Sequence, residues 1–247
     1  MNKNKNSINL FKELKKFSNN KNIFIEDAFS QDKISFNSFF KGVLKLKKKI
    51  NLLTNKKVYL LQISNNIDDL VLLTTFLVSR KKIILFPKKI KDNLELLKKY
   101  KLPISCVYYK NNKLKISIIS NKKLLDTNFD ILIMSSGSTG LSKLVKLKIT
   151  ESILNSKEMS KLFDFSKSTS HLMLMPIYHV NALFFSFLGS LISSQKLVIS
   201  SRFVILDFWK IIEKYSINSV SLSPTLVKML NKFKNEKIDN TTLKMVA

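Results

Sequence analysis

From Lys57 onward, short apolar runs bounded by polar residues alternate with longer segments of helical character. Lys57 to Ile63 reads as a strand and Ile67 to Ser79 as an apolar helix capped by Asn66. Ile83 to Phe86 follows as a strand stopped by Pro87, then Lys91 to Tyr100 as an amphipathic helix. After Thr150, read as an N-cap, the rhythm repeats: helix Glu151 to Phe163, strand His171 to Met175, helix Val180 to Ser193, strand Lys196 to Ser200. Helix Leu206 to Tyr215, strand Asn218 to Leu222 and helix Thr225 to Phe233 complete it. Such alternation predicts a layered α/β architecture, because each strand needs helices to cover its faces. With 45% hydrophobic residues in 247, there is enough apolar material for a core. The mostly polar stretch Asn121 to Asn128 is the expected boundary, giving one α/β unit over 1–122 and a second over 123–247.

Glycine is scarce, four residues in all, yet Gly137 and Gly140 both fall within Ser135-Ser136-Gly137-Ser138-Thr139-Gly140-Leu141-Ser142-Lys143. Glycines let backbone N–H groups turn toward a ligand, hydroxyls add short donors and lysine adds charge, which together suit a polyphosphate. Upstream, Phe129 to Met134 reads as a buried strand. Downstream, Val145, Leu147 and Ile149 alternate with Lys146 and Lys148, the period-two pattern of a half-exposed strand. A Walker A loop needs Gly-Lys-Ser/Thr contiguous and running into a helix, so a loop between two strands disfavours the ordinary P-loop NTPase.

A strand, Ser-Ser-Gly-Ser-Thr-Gly-x-x-Lys and a second strand resemble the adenylate-forming (AMP-binding) enzymes, the superfamily of acyl-CoA synthetases and AMP-dependent ligases. Met175-Pro176-Ile177-Tyr178-His179-Val180-Asn181-Ala182 is similar to that family's Pro-x-x-His-x-x-Gly motif. Phe208 to Val220 followed by Ser223-Pro224-Thr225 is similar to its helix, strand and Pro-Thr turn. The resemblance implies an α/β fold like the N-terminal subdomains of those enzymes, ending before the C-terminal domain. The family's adenine segment, magnesium-holding acid, ribose-binding aspartate and C-terminal lysine would lie beyond Ala247. Residues 1–247 alone are therefore expected not to turn over, with the C-terminal half supplied elsewhere, such as on a separate chain.

The same resemblance implies ATP-dependent activation of a small carboxylic acid to an acyl-adenylate, then thioester formation with coenzyme A, in the setting of fatty acid metabolism. ATP, Mg2+ and coenzyme A are the implied cofactors. Ser135, Ser136, Gly137, Ser138, Thr139, Gly140 and Lys143 would hold the nucleotide's phosphates, with Lys143 also acting in catalysis. His179 would line the acyl pocket and orient the carboxylate, with Tyr178, Asn181 and Phe184 as candidate neighbours. No residue is assigned to a metal. Three positions depart from the family pattern: Ser142 for a proline, Leu144 for a glycine after the lysine, and Ala182 for the glycine ending the histidine motif. Ser142 removes a fixed φ and Leu144 puts bulk where glycine permits unusual backbone angles. A non-catalytic remnant of such an enzyme is the first alternative.

The second alternative is a nucleic-acid binder, raised by the formal net charge of +26 from 43 basic and 17 acidic residues. Only Arg80 and Arg202 among them are arginine, and lysine is spread over the whole chain, which reads as a solvated surface without a specific nucleic-acid site. The single cysteine, Cys106, excludes an internal disulfide framework and reads as a buried strand residue in a reducing, cytoplasmic setting. Ile8, Phe11, Leu14 and Phe17 carry the spacing of an amphipathic helix packed on the body, without a signal-peptide core. Leu172 to Gln195 lacks charged residues and is long enough to span a bilayer. Pro176, His179, Asn181 and scattered serines mark it instead as buried interior, so no integral membrane segment is expected. His171, outside any motif, reads as structural.

Overall fold

The computed structural model describes residues 9–86, 97, 102–110, 113–122, 128–135, 143–202, 205–232 and 242–246. Two six-stranded sheets form its frame. The first contains β1 (Ile23–Asp27), β2 (Lys33–Ser35), β9 (Ser170–Met173), β10 (Lys196–Ile199), β11 (Ser219–Ser221) and β12 (Met245–Val246), ordered β12-β11-β9-β10-β1-β2. The second contains β3 (Val58–Gln62), β4 (Lys82–Phe86), β5 (Ile104–Lys110), β6 (Lys113–Ile118), β7 (Ile131–Ser135) and β8 (Lys143–Leu147), ordered β6-β5-β3-β4-β7-β8. Within each, the inner strands run parallel, whereas β2, β6 and β8 pair antiparallel at the edges. Each sheet takes strands from both sides of residue 122.

Parallel inner strands must be buried on both faces, and their sequences comply: Val58-Tyr59-Leu60-Leu61 and Ile83-Ile84-Leu85-Phe86 are each fully apolar and buried. Between them, α3 (Ile67–Val78) starts where Asn66 Oδ1 accepts the Asp69 N–H at 2.9 Å, as expected of an asparagine N-cap. Its apolar body fits between the sheets, with Leu70, Leu73 and Phe76 wholly buried. The amphipathic α2 (Phe36–Asn51) packs on α3 and buries Phe36, Phe39, Val43, Leu46 and Ile50 on one stripe. At the N-terminus, α1 (Leu10–Lys15) lies on the body, burying Leu10 and Leu14 and setting Phe11 against Phe40; of the expected stripe, Phe17 follows the helix and Ile8 lies outside the described residues.

Two local expectations change. The helix after the hairpin, α4 (Ile149–Leu162), begins one residue before Thr150, and its N-cap position is Lys148, whose side chain makes no capping bond. The capping acceptor comes from the preceding strand region: Asp130 Oδ2 takes the Ile149 N–H at 3.0 Å. A longer-range carboxylate thus replaces the local hydroxyl that the sequence suggests. The helix read over Val180 to Ser193 is present with those bounds, but Ala182–Leu188 is wound as a π-helix that continues as α5 (Gly189–Ser193). It packs on a seam of buried serines in α4, Ser152, Ser156 and Ser160, each returning its hydroxyl to the carbonyl four residues earlier. A Cβ on Gly189 would come 3.4 Å from Ser160 Oγ of α4 and 3.1 Å from the Phe165 ring just beyond it.

The stretch from Leu172 to Gln195 is mostly buried, with His179, Val180 and Asn181 exposed, and no helix among the described residues is long and apolar enough to cross a membrane. The helix expected over Lys91 to Tyr100 lies outside the described residues except for Leu97, which is helical and buried. Further along, α6 (Phe208–Lys214) and α7 (Pro224–Lys232) flank β11. Proline stands at the first position of α7, where its missing N–H costs nothing, and Ser223 Oγ accepts the Leu226 N–H at 3.3 Å.

Candidate active site

The loop between β7 and β8 is held by an antiparallel ladder whose last pair is Ser135 opposite Lys143. Below it, Met134 pairs with Leu144 and Ile133 with Val145. The hairpin therefore brings the two ends of the Ser/Gly/Thr run together at the C-terminal end of β7, beside the parallel strand β4. Lys143 opens β8 and is exposed. Ser136, Gly137, Ser138, Thr139, Gly140 and Ser142 lie outside the described residues. Leu144 sits in the strand, partly buried against Leu132 and its neighbours, and is not among the residues with positive φ. The glycine that the family pattern places there is thus replaced without backbone strain.

His179 sits at the carboxyl end of β9. Its backbone N–H donates to the Pro176 carbonyl at 2.9 Å, closing the turn that the proline begins, and its own carbonyl accepts from Leu183 N–H at 2.9 Å. The imidazole is exposed toward a cavity of about 700 Å³, with the Tyr178 ring centroid 5.0 Å away. Packing around the ring desolvates it enough to lower its pKa from the ordinary histidine value, which favours the neutral form. A neutral imidazole offers one N–H donor and one acceptor at the cavity wall.

The cavity walls come from the carboxyl ends of parallel strands in both sheets. Ser64 and Asn65 follow β3, Met175, Pro176, Tyr178 and His179 follow β9, Ser200 to Arg202 follow β10, and Ser223 follows β11. A crevice at this end of a parallel sheet is where α/β proteins bind ligands. Arg202, one of only two arginines, reaches it with its guanidinium stacked 4.3 Å from the Phe29 ring centroid. Of the three candidate neighbours of His179, only Tyr178 lines the cavity. Asn181 is exposed at the start of the π-helix and Phe184 packs on the core, because the π-helix turns both away.

His171 is wholly buried, with Nδ1 2.9 Å from Ser219 Oγ and Nε2 2.9 Å from Ser186 Oγ, and burial lowers its pKa to about 3. It is a satisfied, neutral core residue, as read from sequence. Cys106 is buried in β5, where desolvation raises the thiol pKa and keeps it protonated. Asn65 escaped the sequence reading. It is buried, accepts the Ile177 N–H through Oδ1 at 2.9 Å, and donates through Nδ2 to the carbonyls of Met175 at 3.0 Å and Ser200 at 3.3 Å. A polar doublet, Asn65-Asn66, directly after an apolar strand and ahead of a helix was the available signal, since cavity residues gather there.

Among the described residues no group of three or more His, Cys, Asp or Glu side chains comes together to hold a metal ion.

The AMP-binding enzyme family matches residues 74–247. No curated protein matches the chain by sequence. Among solved structures, ATP-bound MatB from Rhodopseudomonas palustris superposes with a TM-score of 0.77 at 14% identity, over 96% of this chain and 54% of its own. O-succinylbenzoate Coenzyme A Synthetase (MenE) from Bacillus subtilis, in complex with AMP, gives 0.71 at 14% identity over 96% and 66%. The inhibitor-bound N-terminal domain of FACL13 from Mycobacterium tuberculosis gives 0.76 at 11% identity over 96% and 69%. The chain spans about half the length of MatB, and at these identities the likeness speaks for the fold.

Proposed function

Because the chain belongs to the AMP-binding enzyme family, we propose that it forms the phosphate- and acid-binding part of an enzyme that converts a carboxylic acid and ATP to an acyl-adenylate and pyrophosphate. In this reading a carboxylate oxygen attacks the α-phosphorus, the bond to the bridging oxygen of the β-phosphate breaks, and pyrophosphate leaves with that electron pair. A thiol, with coenzyme A as the proposed acceptor, then attacks the acyl carbon and AMP departs.

The difficulty of the first step is electrostatic, since two anions must approach and a third must be released. Donors placed on the β- and γ-phosphates lower that barrier, each charged hydrogen bond contributing about 1.5 to 3 kcal/mol net. Ser135, Ser136, Ser138, Thr139, the N–H groups near Gly137 and Gly140, and Lys143 are assigned this task. His179, whose neutral form burial favours, is assigned to orient the acid's carboxylate from the cavity wall. A neutral ring suits that role, because an imidazolium would pair with the carboxylate and blunt its attack.

The observation that carries the reading is the hairpin that closes on Ser135 and Lys143, in a chain whose histidine motif opens onto a cavity at the same end of parallel strands. The strand geometry of Leu144 and the buried fit of Ala182 weigh against the remnant alternative, since neither departure from the family pattern is strained. Acid-dependent exchange of labelled pyrophosphate into ATP by the whole protein tests the proposal. Exchange is expected, and its absence across a panel of short, aromatic and long-chain acids would reject it.

A further inference from the structure

We infer that Asn65 is a positioning residue for His179: its carboxamide ties the turn that carries the imidazole to the loops after β3 and β10, and so sets where the ring stands in the cavity. The donor and acceptor pattern leaves that carboxamide one orientation. Ile177 N–H can only donate and takes Oδ1, whereas the Met175 and Ser200 carbonyls can only accept and take the two Nδ2 hydrogens. Aspartate would face two carbonyls with a carboxylate, and leucine would leave one N–H and two carbonyls without their bonds. Asparagine at this length and place satisfies all three.

The anchor itself is firm. On one side of Asn65, the Ser64 N–H and Oγ bond Asp69 Oδ2 at 2.9 and 3.0 Å, and on the other Asn66 caps α3. Asn65 is only 6% exposed, and Ile177, whose N–H it receives, is wholly buried. From Ile177 the chain reaches His179 in two residues, with the Pro176 carbonyl closing the turn. Downstream, the bond from Leu183 N–H to the His179 carbonyl leads into the π-helix. His179 is thus fixed on its downstream side by the helix and on its upstream side through Asn65. The role of acid-orienting group that this placement serves rests on the function proposed above, whereas the placement itself does not.

The chain's two histidines make the test direct, because their Cε1–H resonances report separately. His171 is the internal reference: buried between Ser219 and Ser186, it reports whether the fold is native and stays untitrated through the neutral range. His179 reports position, with Tyr178 and Arg202 as the ionisable side chains lining its cavity. In Asn65→Ala the His179 resonance is expected to shift and its titration midpoint to rise toward the ordinary value, while the His171 signal holds. In the whole protein, the same variant is expected to raise KM for the acid at least tenfold with ATP affinity unchanged. If Asn65→Ala does not fold, Asn65→Ser is measured in the same way. An unmoved His179 signal in a natively folded variant overturns the inference, and so does loss of the native His171 signal in both variants, which would assign Asn65 to the fold alone. A His179 response together with no pyrophosphate exchange by the wild type would leave the positioning role standing and remove only the proposed function.

Discussion

Asp130 Oδ2 accepts the backbone N–H of Ile149 at 3.0 Å, joining the residue just before β7 to the first residue of α4. The Asp130 backbone N–H also donates to the Leu147 carbonyl at 2.9 Å, so one residue closes the base of the hairpin and starts the next helix. A carboxylate at a helix N-terminus is favoured by the unpaired N–H groups and by the helix dipole. Asp130→Ala is expected to lower stability by about 1 to 2 kcal/mol, read as a fall in Tm or in the urea midpoint. A variant as stable as the wild type would show that the cap is not needed.

Lys143→Ala removes the charge proposed to meet the phosphates. ATP affinity measured by calorimetry is expected to fall about 10- to 100-fold, the equivalent of one charged hydrogen bond. Lys146→Ala, farther along β8, serves as the control and is expected to leave affinity within about twofold, as a surface lysine would.

His171 makes stability depend on pH. Its pKa is lowered by burial to about 3, so between the ordinary value of 6.5 and about 3 the unfolded chain binds a proton that the folded chain does not. This stability is fully present above pH 6.5 and is lost as pH falls toward 3. Unfolding midpoints in urea should decline from pH 7 to pH 5, before most carboxylates titrate. His171→Gln should flatten that decline at some cost in stability at neutral pH. An equally steep decline in the variant would place the effect elsewhere.

Ser156 is fully buried in the seam between α4 and the π-helix, with its hydroxyl returned to the Ser152 carbonyl at 2.8 Å. Ser156→Leu would force added side-chain volume between packed helices and is expected to cost about 1 to 3 kcal/mol. Tm should drop accordingly. An unchanged Tm would mean that this seam has room the structure does not show.

Most of the layered fold was legible from residues because inner parallel strands are continuous apolar runs and their helices start at recognisable caps, as Val58 to Leu61 and Asn66 illustrate. What escaped were choices made by distant partners. Thr150 had the right side chain for a cap, but Asp130 reaches the helix end across a hairpin. The apolar pattern of Ala182 to Leu188 fits any buried helix and does not distinguish π from α winding. For the site, His179 was legible through its motif, whereas Asn65 was not. Its partners Met175, Ile177 and Ser200 lie more than a hundred residues away in sequence.

The central claim is that the Ser135–Lys143 hairpin embraces the triphosphate of ATP. A crystal structure of the protein with ATP bound tests it most directly. The account predicts the β- and γ-phosphates within hydrogen-bond distance of hydroxyls and N–H groups in this loop and of Lys143 Nζ. Phosphates bound at another place on the protein, with this loop packed under neighbouring side chains, would contradict it.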